Sequence, residues 1–296
     1  MARMLGTLLG LVLIALLLFR LRSLWSEHPI PVDEASPPLL AAAVAVAGLA
    51  MTVYGAIWPA TLRSIGTAPP RGLLIAFYAG QLGKYLPGGA WQYLGRAKLA
   101  ARLGIPLRAG AASLVVEAGC SLVAAALVGP FALASDNRRL GAAAAAVAAL
   151  AAAGALLSCS SWVARGASAL QRRARLPNHA DVQALRGVTI RYALAWLVFG
   201  VAFWLLARAL YAVPVSSLPF YAGTFTVAWA AGFVVVYAPG GLGIREAVIV
   251  LILGSHLGVG EAIVLAASSR IVFTVVDFVG GVVALTVLGR ARRAVG

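Results

Sequence analysis

From Leu39 to Trp58 the chain reads LLAAAVAVAGLAMTVYGAIW, a run without a single charge. A helix needs about 20 apolar residues to cross the hydrocarbon core of a bilayer. Lipid offers no hydrogen bonds, so a spanning segment must satisfy its own backbone, as a helix or within a closed barrel. Barrel strands alternate polar and apolar residues over segments of about ten, and this run does not alternate. The expected fold class is therefore an all-α polytopic membrane protein. The whole chain agrees: of 296 residues 62% are hydrophobic and 11% charged, against about 25% charged in ordinary soluble domains.

Six full spans are expected, at 4–24, 38–62, 107–132, 140–161, 187–210 and 259–288. The basic, apolar N-terminus resembles a signal peptide, but Arg20 and Arg22 follow its apolar run directly and no small-residue cleavage site is evident. It is read as a retained span. Two further apolar regions, 71–103 and 218–255, are too long for one span, and each is interrupted by Pro-Gly-Gly. Proline removes a backbone donor and glycine weakens a helix, so each region should divide into two arms. The arms 72–86 and 90–102 would each be about 20 Å long at 1.5 Å per residue, short of the core thickness. Two broken re-entrant hairpins are expected, each returning to the side it entered.

Charge bias sets the orientation. With the N-terminus inside and both hairpins returning, sixteen of the 24 basic residues fall inside and five outside. Positive loops stay cytoplasmic, so both termini are expected there, in a plasma or inner cell membrane. The net charge of +15 is then an adaptation to anionic lipid rather than a sign of nucleic acid. A basic cytoplasmic loop at 163–187 is the one sizeable polar stretch, too short for a separate domain. The small-residue tract Gly141–Leu157 reads as close helix packing.

The chain also repeats itself. Tyr85-Leu-Pro-Gly-Gly and Tyr237-Ala-Pro-Gly-Gly lie 152 residues apart. Halves of about 1–133 and 138–290 each read span, span, hairpin, span, and they start on opposite sides. Inverted repeats with broken helices are a transporter signature. After each break a helix start would aim free N–H groups and a positive dipole end at the centre, a ready anion site. A plain kink is the simpler use of Pro-Gly-Gly, but duplication beside basic residues favours a site.

The expected substrate-binding set is Lys84, Tyr85, Gly88, Gly89, Trp91, Gln92 and Arg96 at the first break, with Tyr237, Gly240, Gly241, Arg245 and Glu246 at the second. Arg96 is poised between site and interface anchor, and Glu246 is expected to pair with Arg245 or Lys84. Glu117, Arg270 and Asp277 lie inside full spans, where charge is costly unless paired, and are coupling or gating candidates. Glu117 and Arg270 lie 153 residues apart, equivalent across the repeat, and are expected to face the interior as a pair, with Asp277 as the competing partner of Arg270. The scattered histidines and the cysteines Cys120 and Cys159 suggest no metal site and no disulfide framework. With no nucleophile–base arrangement, Walker loop or paired-carboxylate site, neither enzymatic activity nor a cofactor is expected.

The segments GQLGKYLPGGAWQYLGR and YAPGGLGIREA, with the span count, resemble the lysylphosphatidylglycerol synthase transmembrane-region family, also called flippase-like membrane proteins. That resemblance covers nearly the whole chain. It implies movement of a lipid between leaflets, or handling of polyprenyl-linked sugars beside glycosyltransferases. The synthase chemistry of the family name belongs to a separate soluble aminoacyl-transfer domain, for which no stretch is found here. By resemblance Lys84, Arg96, Arg245 and Glu246 hold the motif positions of most consequence. The leading expectation is a flippase for an anionic phospholipid or polyprenyl-phosphate lipid. The alternatives are a proton-coupled transporter of a small soluble anion, with Glu117 or Asp277 as the coupling group, and a non-transporting subunit that docks a glycosyltransferase or lipid-modifying enzyme through the basic loop.

Overall fold

The structure, a computed structural model, describes residues 35–85, 91–133, 181–211, 213–234 and 243–293, with 165–166, 168–169 and Gly241 between them. The expected spans 4–24 and 140–161, most of the basic loop, the first Pro-Gly-Gly motif and Pro239 and Gly240 of the second lie outside the described residues.

The described residues are mostly helical, without strands. The helices are α1 (Pro37–Ala56), α2 (Trp58–Ser64), α3 (Leu73–Gln81), α4 (Trp91–Arg102), α5 (Leu107–Val128), α6 (Val182–Tyr211), α7 (Leu218–Val234), α8 (Ile244–Leu257) and α9 (Val259–Arg293). Among the described residues, four stretches are long and apolar enough to cross a membrane: Pro37–Ser64, Leu107–Leu133, Val182–Tyr211 and Val259–Arg290. They coincide with four of the six expected spans. The broken regions also divide as expected, into the shorter pairs α3–α4 and α7–α8.

Local chemistry explains the boundaries. Pro59 cannot donate to the carbonyl four residues earlier, so the first span steps at Ile57 and resumes as α2. Helix α4 ends in a Schellman motif: the Ile105 N–H reaches the Ala100 carbonyl at 3.1 Å, and Gly104 takes φ +90°. Pro106 then opens α5, its carbonyl accepting from the Ala109 and Gly110 N–H groups.

Helix α6 is the central post, in contact with α1, α2, α5, α7 and α9. It runs antiparallel to the first span, since Ser36 N–H bonds the Ala209 carbonyl at one end and Asp181 N–H bonds the Ser64 carbonyl at the other. Tyr54, Ser121 and Trp196 knit α1, α5 and α6: Tyr54 OH donates to Ser121 Oγ, and the Trp196 indole N–H to the Ser121 carbonyl. Small residues bring backbones close, as where Gly200 on α6 meets Ala222 on α7. The polarity is that of a protein dissolved in lipid. Arg96, Glu117 and Asp277 are buried while Leu251 is 80% exposed and Val279 60%.

Candidate functional site

A cavity of about 100 Å³ lies where the two broken regions meet the full-length helices. Gln81 of α3, Lys84 of the 3-10 turn Leu82–Tyr85, and Gln92, Tyr93 and Arg96 of α4 line one side. Trp229 and Phe233 of α7 and Arg245 of α8 line the other, with Glu117, Trp196 and Phe273 completing the wall. A side pocket of about 30 Å³ shares Trp229 and Arg245 and reaches Glu246 and Arg270.

Arg96 is the most thoroughly held cation. It is 3% exposed, and its two terminal nitrogens donate to the two oxygens of Glu117 at 2.7 and 2.6 Å. Its guanidinium lies 4.4 Å from the Trp58 ring centroid and 4.9 Å from that of Phe77. The paired geometry offsets the desolvation of both ions, and the aromatic faces add cation–π attraction. Glycine makes room: a Cβ on Gly80 would strike Arg96 Cγ, and one on Gly83 would lie 2.7 Å from Gln92 N. Arg96 is therefore no interface anchor with its head in water.

Three expected pairings are corrected. Glu117 bonds Arg96 rather than Arg270. Asp277, fully buried, pairs with Lys84 and accepts the Tyr85 hydroxyl at 2.8 Å, rather than competing for Arg270. Glu246 faces Arg270 at 3.7 Å rather than Arg245 or Lys84, and also accepts the Gly243 N–H at 2.7 Å at the start of α8. The sequence offset misled here because residues at matching spacing need not touch. In both broken regions the second arm faces the helix that follows it, through Arg96–Glu117 in one and Glu246–Arg270, with the signs exchanged, in the other.

Arg245 differs from the other cations. It lines both cavities, lies 5.7 Å from the Trp229 ring centroid, and has a buried Nε with no hydrogen-bond partner among the described residues. No ion pair to it occurs among the described residues, whereas Lys84, Arg96 and Arg270 each face a carboxylate. Glycine again gives it space, since a Cβ on Gly232 would lie 2.6 Å from Arg245 Cγ and one on Gly241 2.8 Å from its Nε. Gly241 takes φ +71°, a conformation that glycine adopts without strain.

Of the other expected residues, Gln92 lines the cavity, whereas Trp91 is 49% exposed and does not. Gly88, Gly89, Tyr237 and Gly240 lie outside the described residues. Sequence reasoning missed the aromatic wall of Trp196, Phe199, Phe225, Trp229 and Phe233. The spacing of Phe225, Trp229 and Phe233, four residues apart on α7, was the available signal. It also missed Gly80 and Gly232, which lie 152 residues apart, at the offset of the Pro-Gly-Gly motifs.

The family model for the Lysylphosphatidylglycerol synthase TM region matches residues 7–284. No curated protein matches the chain.

Proposed function

The chain belongs to the Lysylphosphatidylglycerol synthase TM region family, and from that premise we propose that it carries a lipid with an anionic head group between leaflets. The lipid is an anionic phospholipid or a polyprenyl-phosphate-linked lipid. Its phosphate meets Arg245, with Lys84 nearby, while the tails stay in the bilayer. The observation that supports this best is Arg245 itself, a cavity-lining cation without a carboxylate partner among the described residues. Such a charge is costly in a low-dielectric interior unless a ligand offsets it.

A volume of about 100 Å³ is below the roughly 150 Å³ of a cavity that admits benzene, too little for a head group. The proposed cycle therefore needs an open state. In it the halves 1–133 and 138–290 act as inverted repeats with re-entrant hairpins, rocking to face each leaflet in turn. The matched seats of Arg96 against Gly80 and Arg245 against Gly232 support that reading. The protein acts as a transporter without catalysis or cofactor, in a plasma or inner cell membrane with cytoplasmic termini. A glycosyltransferase or lipid-modifying enzyme supplies or consumes the lipid.

The test is fluorescent phosphatidylglycerol movement in proteoliposomes, read by dithionite quenching. Loss of a charge-assisted hydrogen bond is worth about 1.5–3 kcal/mol, so Arg245→Gln should slow movement at least about tenfold, with Arg245→Lys retaining part. Equal rates in folded wild type and Arg245→Gln would reject the proposal.

A further inference from the structure

The Lys84–Asp277 pair joins a residue that a ligand can reach to one that is sealed. Lys84 lines the cavity with 20% of its side chain exposed, against 1% for Asp277. Asp277 Oδ2 takes both the Lys84 ammonium and the Tyr85 hydroxyl, while Oδ1 is buried with no hydrogen-bond partner among the described residues. Within electrostatic reach of Asp277 are also Arg245 from α8 and Tyr78 from α3. Arg270 stands seven residues earlier on the same helix. Tyr54 of α1 and Tyr192 of α6 act on Glu117 instead.

An incoming phosphate competes with Asp277 for the Lys84 ammonium. Once Lys84 turns to the phosphate, Asp277 keeps its charge at a fully buried position, with the neutral Tyr85 hydroxyl as its bonded partner among the described residues. An ionised carboxylate left in that position is strongly disfavoured. We propose that the phosphate and a proton enter together: the phosphate takes Lys84, and the proton binds Asp277 at Oδ1. The charges balance at each stage. The empty site holds one ammonium and one carboxylate; the loaded site holds one ammonium, one phosphate negative charge and a neutral acid. One anionic head group and one proton cross as an electroneutral pair, and the transmembrane proton gradient drives the lipid. This inference rests on the lipid reading above and supplies its energy source.

The experiment uses the full chain in liposomes with a trace of fluorescent phosphatidylglycerol, whose phosphodiester stays ionised, and pyranine inside to report protons. A pH difference of one unit should drive an about tenfold unequal distribution of the labelled lipid toward the alkaline leaflet, as one coupled proton requires. Proton movement should accompany it, and a potassium–valinomycin potential should shift nothing. Asp277→Asn should abolish both the gradient response and the proton signal. The wild-type measurements stand alone if that variant does not fold. Lipid that moves but ignores the pH difference, or follows the potential, overturns the coupling and leaves the lipid reading intact. A gradient response that persists in Asp277→Asn overturns the assignment to Asp277. Proton uptake evoked by external inorganic phosphate, with the labelled lipid static, rejects the lipid reading and supports the exchange at Asp277.

Discussion

The two broken regions reach the same cavity, yet they hold their cations in opposite ways. In the first, Arg96 is sealed, doubly bonded to Glu117 and sandwiched by Trp58 and Phe77. In the second, Arg245 makes no ion pair among the described residues, and Glu246 turns to Arg270 across 3.7 Å with both side chains partly exposed. The contrast separates two uses of buried charge. A satisfied pair holds one arrangement of helices; in the function proposed above, the cation without an ion pair is the one that meets the ligand.

The largest expected effect comes from unsealing the first pair. Glu117→Ala leaves Arg96 buried and uncompensated, which costs about 3–5 kcal/mol, so the folded peak in size-exclusion chromatography should vanish after mild heating. The double variant Arg96→Met with Glu117→Leu should recover most of that stability, because it removes both charges together. A Glu117→Ala protein as heat-resistant as wild type would show that the two regions do not differ in this way.

The paired glycines sharpen the comparison at intermediate size. Gly80→Ala forces a methyl group against Arg96 and to 3.2 Å from the Gln92 carbonyl, and overpacking of this kind costs about 1–3 kcal/mol. Gly232→Ala likewise meets an arginine side chain first and backbone at 3.2 Å, the Gly241 Cα. But Arg245 is not held by an ion pair among the described residues and can swing aside, whereas Arg96 is locked to Glu117. Gly232→Ala should lower the melting midpoint less and lipid movement more. Equal melting shifts in the two variants would contradict the contrast. The smallest effect belongs to Glu246→Gln. A partly exposed pair at 3.7 Å contributes under about 1 kcal/mol, and the melting midpoint should barely move.

Much of the fold was legible in the sequence. Continuous apolar runs marked the spans that the structure draws as Pro37–Ser64, Leu107–Leu133, Val182–Tyr211 and Val259–Arg290, because lipid tolerates little else. Pro59 in the first span and the helix pairs of the broken regions follow from proline and glycine chemistry. The pairings were not legible. Glu117 and Arg270 match across the repeat but sit in different halves, and contact is decided by which arm each helix packs on. The aromatic wall was legible only in part. The spacing of Phe225, Trp229 and Phe233 puts them on one face of a helix, but with lipid outside and core inside both faces are apolar, so no polar contrast says whether that face points inward.

The step at Ile57 puts Trp58 beneath the Arg96 guanidinium while its indole N–H bonds Ser113 Oγ at 2.9 Å. Helices α2, α4 and α5 are thereby clamped at one corner. In the rocking cycle proposed above, that corner is the fulcrum.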